Sequence, residues 1–235
     1  MIGQQTYEYL LCMKTPIFSG NFKKDLFRQF ARVAKALSNG HRLELLEFLA
    51  QSERSVDELA RLTGLSVANT SQHLQQLRQA GLVVGRKEGQ KVFYSITGED
   101  VERLFNALRE VAERHLGEVQ ELVSKYLEVK DDLEPVPPEE LFERIREGLV
   151  TVIDVRPPEE YAAGHLPGAI NLPLSQLEQE AGNLDSGREV VAYCRGPHCV
   201  LAFDAVALLR EKGFSASRLD GGLPEWRLMG LPVKQ

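Results

Sequence analysis

The hydrophobic rhythm of this chain changes once, across a charged, proline-rich stretch at residues 128–138 (EVKDDLEPVPP). Before it, apolar residues recur every three or four positions. After it, continuous β-branched runs alternate with helical stretches. A helical period does not build a sheet, nor a strand pattern a helix, so the chain is read as two domains. The first is mainly α, and the second is α/β with a mostly parallel sheet. The expected boundaries are an N-terminal tail at 1–21, a first domain at 22–127, a linker at 128–138 and a second domain at 139–235.

Within the first domain, residues 22–37 place Leu26, Phe30, Val33, Ala34 and Leu37 on one helical face, and HRLELLEFLA resumes after Ser38-Asn39-Gly40. Ser55 with Glu58 three residues later forms the pattern of a capping box ahead of a short helix that stops at Gly64. Ser66 is the matching N-cap for a second helix that closes at Gly81. Two short amphipathic helices joined by a Gly-containing turn make a helix-turn-helix. The runs LVV and VFYSI around a Lys-Glu-Gly-Gln turn predict a hairpin, or wing. Residues 100–129 carry one long amphipathic pattern, expected to be a single projecting helix that packs against a second copy of the chain.

The second helix of the pair is rich in uncharged hydrogen-bonding side chains: Asn69, Thr70, Ser71, Gln72, His73, Gln75 and Gln76, with Arg78 beyond. With the cap Ser66, these side chains are suited to reading base edges and holding phosphates. Arg86, Lys87 and Lys91 supply a cationic wing. Net charge over the whole chain is −6, but residues 22–97 hold 12 Lys/Arg against 7 Asp/Glu. The basic half is the one expected to face a polyanion.

The blocks KALSNGHRLELLEFL, SVDELARLTGLSVANTSQHLQQLRQAGLV and GRKEGQKVFYSI resemble the ArsR family of winged-helix repressors. The resemblance implies a homodimer that binds a pseudo-palindromic DNA operator and represses. Many such relatives are released by metals, yet the first helix of the pair (VDELARLT) has no cysteine. On the long helix only His115 and Glu118 match half of the family's second site, with Glu102 and Leu104 where the other half would lie. No metal or cofactor is expected. A winged helix used only for protein contact is the alternative to DNA binding.

Three cysteines, Cys12, Cys194 and Cys199, are too few for a disulfide framework, and no apolar run is long enough to span a bilayer. A cytoplasmic protein without a membrane partner is expected, although the order of the tail around Cys12 and Met13 is left open. Cys194 ends the buried strand pattern VVAY and opens the loop Arg195-Gly196-Pro197-His198-Cys199 before a helix. Backbone amides of such a loop and the positive end of the helix dipole favour a thiolate, the nucleophile that attacks a sulfane sulfur and carries it as a persulfide.

The blocks VIDVRPPEEYAAGHLPGAINLP, AYCRG and LDGGLPEWRLMGLPV resemble single-domain rhodaneses. The resemblance implies Cys194 as the catalytic residue, the loop 195–199 as its cradle, and Asp154 and Arg156 as supporting residues. Arg156 is expected to pair with Glu160, and Trp226 to pack in the core. Many rhodaneses carry a basic residue where this chain has Cys199, which puts thiosulfate in doubt as donor. The related phosphatases need Arg where Val200 stands. Cys199 has two readings: a packed thiol, or a resolving cysteine for Cys194. Three functions follow, in order. The first is a transcription regulator whose Cys194 senses sulfane sulfur or oxidants. The second is a sulfurtransferase with an independent DNA-binding domain, and the third is a thiol-based metal- or arsenic-responsive repressor.

Overall fold

The computed structural model describes residues 21–128 and 134–235. Helix α1 (Phe22–Leu37) is followed by α2 (Gly40–Gln51), whose N-cap Asn39 accepts a hydrogen bond from the Arg42 amide. The buried Arg42 guanidinium donates to the carbonyls of Lys35 and Ala36 and to Gln76 Oε1. One side chain thereby closes the end of α1 and ties it to the helix-turn-helix.

The helix-turn-helix consists of α3 (Val56–Thr63) and α4 (Val67–Gln79). The Ser55–Glu58 capping box forms in full, Gly64 adopts the left-handed conformation at φ 67°, and Ser66 caps α4. Strands β2 (Val83–Glu88) and β3 (Lys91–Ile96) run to a two-residue turn at Gly89-Gln90, tighter than the four-residue turn expected. A two-residue strand β1 (Arg54–Ser55) adds to β3 in the order β1-β3-β2, a pairing too short to leave a sequence pattern. Leu45, Leu46, Leu49, Leu59, Leu74 and Leu77 fill the core beneath.

The long amphipathic pattern is not one helix. Helix α5 (Glu99–His115) stops at Leu116, whose backbone is extended (φ −107°, ψ 109°), and α6 (Gly117–Val123) restarts before a π-helical turn at Ser124–Glu128. Apolar periodicity persists through a break because it records a face, not a continuous ladder. Residues 129–133 of the expected linker and the tail with Cys12 lie outside the described residues.

In the second domain α7 (Pro138–Arg146) leads into β4 (Val150–Asp154), and α8 (Pro158–Ala163) precedes β5 (Ile170–Asn171). A helix without a sequence expectation, α9 (Leu174–Glu180), comes before β6 (Glu189–Cys194). Helix α10 (Val200–Glu211), β7 (Ala216–Gly222) and α11 (Leu223–Leu228) complete it. The four strands are parallel in the order β5-β4-β6-β7. Alternation along β6 sends Val190, Ala192 and Cys194 into the core under α10. Val191 and Tyr193 point into the opposite core with Trp226. A strand buried on both faces reads as an unbroken apolar run. Trp226 packs as expected, donating from Nε1 to the Pro232 carbonyl. No helix among the described residues is long and apolar enough to cross a membrane.

Candidate functional site

Cys194 is the last residue of β6 and has no exposed surface. Cys199 is the N-cap position of α10, and the two cysteines are joined in a disulfide with Cα atoms 6.1 Å apart. The loop between them is drawn in by a hydrogen bond from the Cys199 amide to the Gly196 carbonyl. Of the two readings of Cys199, the geometry brings its sulfur to Cys194. Cys194 thereby lies beside the start of a twelve-residue helix, at the positive end of its dipole.

Asp154 and Arg156, both fully buried, form the support beneath the loop. Asp154 accepts from the Arg156 amide at 3.0 Å, from Arg156 Nη2 at 2.6 Å and from the Tyr193 hydroxyl at 2.5 Å. Burial, and then the charge of Asp154, hold the Tyr193 hydroxyl well above its ordinary pKa, so it stays a donor. Arg156 does not pair with Glu160 as expected. It precedes Pro157, the N-cap of α8, so its side chain folds back onto Asp154 and donates to the Gly164 carbonyl.

Glu160 is instead the counter-ion of the loop. The Arg195 guanidinium grips it from Nε (3.0 Å) and Nη2 (2.8 Å). Arg54, of the winged helix, reaches the same fully buried carboxylate at 2.9 Å. Gln51, at the end of α2, donates to the Arg195 carbonyl (3.2 Å) and accepts from Arg156 Nη1 (3.0 Å). The ring of Phe48 lies 5.1 Å below the Arg195 guanidinium. Further along, Arg227 donates to the Ala50 carbonyl and to Glu102, Arg109 to Glu225, and His198 faces Glu113 at 3.5 Å. Burial lowers the His198 pKa while Glu113 pulls the other way, and the net direction is down. With Arg195 committed to Glu160 and His198 tending to neutrality, neither loop cation is left for an anionic donor. Gln51, Arg54, Phe48, Arg109 and Glu113 carried no sequence signal, because each meets the loop only through the docking of the two domains.

Asn69, Gln72, Gln75 and Arg78 are exposed along α4, and Lys87 and Lys91 are exposed on the wing. Thr70 is a correction. Its side chain is fully buried and its hydroxyl bonds the Ser66 carbonyl one turn back, so it cannot face DNA. Ser71 and His73 are half-buried, with His73 set 5.8 Å from the His41 ring. Gln76 is held by Arg42. Arg86 is paired with Glu53 (2.6 Å) and Glu88 (2.5 Å), so its charge is already matched within the protein. Among the described residues no group of three or more His, Cys, Asp or Glu is arranged to hold a metal ion. Glu102, on the family's second metal position, meets Arg227 instead.

Comparison with known proteins places two family models on the chain: the arsR family of bacterial regulatory proteins over residues 39–84, and the rhodanese-like domain over residues 137–229. The HTH-type transcriptional regulator Rv0324 of Mycobacterium tuberculosis is 47% identical over 213 residues, covering 91% of this chain and 93% of that protein. A sulfurtransferase of Allochromatium vinosum is 33% identical over 85 residues, 36% of this chain and 78% of its own. The solution structure of a homodimeric winged helix-turn-helix DNA-binding domain from Mycobacterium bovis is 46% identical, covers 42% of this chain and 92% of that one, and superposes with a TM-score of 0.40. With near full-length similarity to one regulator and a family model on each domain, the chain belongs to the ArsR-type transcriptional regulators that carry a rhodanese-like domain.

Proposed function

We infer that this regulator binds operator DNA as a homodimer, and that sulfur chemistry on Cys194 changes that binding. The observation that carries the reading is the position of the Cys194–Cys199 loop, which is packed against α2 and the β1 segment of the winged helix. Asn69, Gln72, Gln75 and Arg78 would enter the major groove, with Lys87 and Lys91 on the phosphates. A second copy would cover Phe30, Leu104, Leu108 and Val111, exposed apolar side chains that line a groove between α1 and α5. Resemblance to the ArsR repressors favours repression, and the thiol form of the cysteine pair suits the reducing cytoplasm.

The chemistry follows from the pair. The Cys194 thiolate attacks the outer sulfur of a low-molecular-weight persulfide RSSH, forming Cys194–S–SH and releasing RS−. The Cys199 thiolate then attacks Cys194 Sγ, forming the disulfide and expelling HS−. The sulfane sulfur is reduced to sulfide and the two cysteine sulfurs are oxidised, so no other oxidant enters. A thiol reductant restores the pair. A Cys199→Ser chain treated with glutathione persulfide is expected to stop at the first step and gain the mass of one sulfur atom. The wild type should end as disulfide with sulfide released. Equal sulfide release by both would remove Cys199 from the reaction.

The test of regulation uses a duplex selected from a random-sequence pool by the full-length chain. Glutathione persulfide is expected to change wild-type affinity by at least ~5-fold, the lower range of allosteric coupling, and to leave Cys194→Ser unchanged. The second reading, a sulfurtransferase whose DNA-binding domain acts independently, is favoured by the similarity to the Allochromatium vinosum sulfurtransferase. It would stand if sulfur transfer from Cys194 proceeds with no change in duplex affinity.

A further inference from the structure

The sulfur site is not contained in the rhodanese-like domain. Of the contacts that hold its loop from the other domain, two are buried and polar. Gln51 bridges the Arg195 carbonyl and the Arg156 guanidinium, and Arg54 shares the buried Glu160 with Arg195. Arg54 is also the residue before Ser55, the N-cap that starts α3, and its backbone pairs with Tyr94 of the wing strand β3. A single residue therefore touches the counter-ion of the sulfur loop, the first helix of the helix-turn-helix and the wing.

We propose that Gln51 and Arg54 are the positioning residues through which the state of Cys194 is passed to the helix-turn-helix. This rests on the reading that sulfur chemistry at Cys194 governs DNA binding. Cys194 has no exposed surface, and its side chain lies in the core under α10. An added sulfur atom on Cys194, or release of Cys199 from the disulfide, has no room unless the loop backbone shifts. The first atoms to move are those of Arg195, whose carbonyl is bonded to Gln51 and whose side chain is bonded to Glu160. Glu160 cannot stay buried without a cation, so a withdrawal of Arg195 leaves Arg54 as its remaining ion-pair partner among the described residues and draws on the start of α3. The transmitting element is thus a buried carboxylate shared between two arginines. Held by both arginines or by Arg54 alone, it would supply the two discrete arrangements that a coupled pair of sites requires.

The experiment compares full-length wild type with Gln51→Ala and Arg54→Gln. It uses glutathione persulfide as donor and the selected duplex as DNA. Neither residue lies on the α4 face or among the exposed wing lysines, so both variants are expected to bind the duplex before donor as wild type does. After donor, the change in duplex affinity should fall from at least ~5-fold in wild type to less than about twofold in each variant. Reaction of the cysteine pair with donor, followed as sulfide release and disulfide formation, is expected to persist in both at reduced rate. Linkage adds a readout that a merely structural role would not move. Saturating duplex should shift the thiol–disulfide equilibrium of the Cys194–Cys199 pair in wild type by the same factor, and leave it unshifted in the variants. The Trp226 unfolding transition checks that the second domain is intact. Variants that respond to donor as fully as wild type overturn the proposal, and so does a complete loss of sulfide release in folded variants, which would assign Gln51 and Arg54 to the chemistry instead. A wild type that loads sulfur without any change in duplex affinity fails the regulatory reading itself, a result separable from both.

Discussion

A Gly222→Ala chain is expected to lose sulfur loading at Cys194 and to destabilise the rhodanese-like domain by about 3 kcal/mol, the upper end of overpacking costs, while the winged helix stays folded. Gly222 ends β7 directly beneath the sulfur loop. A methyl group there would sit 2.5 Å from the Arg195 carbonyl carbon and the Gly196 nitrogen, and 2.6 Å from the Cys194 carbonyl oxygen. All three are backbone atoms and cannot rotate away. The backbone at Gly222 is extended (φ −152°), so the penalty is contact alone and not conformation. Gly182 provides the control, since nothing lies within 4 Å of a methyl group there. Gly182→Ala should be within ~0.5 kcal/mol of wild type. Urea unfolding followed by Trp226 fluorescence isolates the second domain, because the chain has a single tryptophan and it is buried there. Wild-type loading in Gly222→Ala would mean that the loop does not depend on its approach to β7.

The second large effect belongs to Asp154. Asp154→Ala removes the acceptor of Arg156, of the Arg156 amide and of the Tyr193 hydroxyl at once, leaving a guanidinium with no exposed surface and no carboxylate against it. Breaking a buried pair on one side costs roughly 3–5 kcal/mol, and the same tryptophan transition should report it. Removing the stranded charge as well should return a large part of that loss, so Asp154→Ala with Arg156→Met is expected to be more stable than Asp154→Ala alone. A double variant no better than the single would show that Asp154 acts through Tyr193 and the loop backbone, not through Arg156.

What could be read from the sequence was local. The Ser55–Glu58 box, the left-handed Gly64, the Ser66 cap and the placement of Cys194 between strand and helix all depend on residues a few positions apart, and all formed as expected. The errors also have local causes. Arg156 and Glu160 are spaced as helical neighbours, but Arg156 lies ahead of the helix. Thr70 looks like a polar reading residue until its hydroxyl is seen to satisfy a carbonyl one turn back. The contact of Gln51 with Arg195, 144 residues away, depends on how the two domains dock. No periodicity or capping rule encodes that distance.

Helix α5 has a mechanical consequence. Leu104, Leu108 and Val111 lie on one side of it, while Glu102, Arg109 and Glu113 lie about 150° away at 3.6 residues per turn and meet the rhodanese-like domain. A rigid rod gripped on opposite sides cannot roll to improve one grip without loosening the other. If the apolar side is the one that meets a second copy, the two rods lie back to back, and a twist imposed at one sulfur loop is delivered to the other as torque. The two loops would then load unequally, the first sulfur altering the ease of the second, in a molecule whose halves are chemically identical.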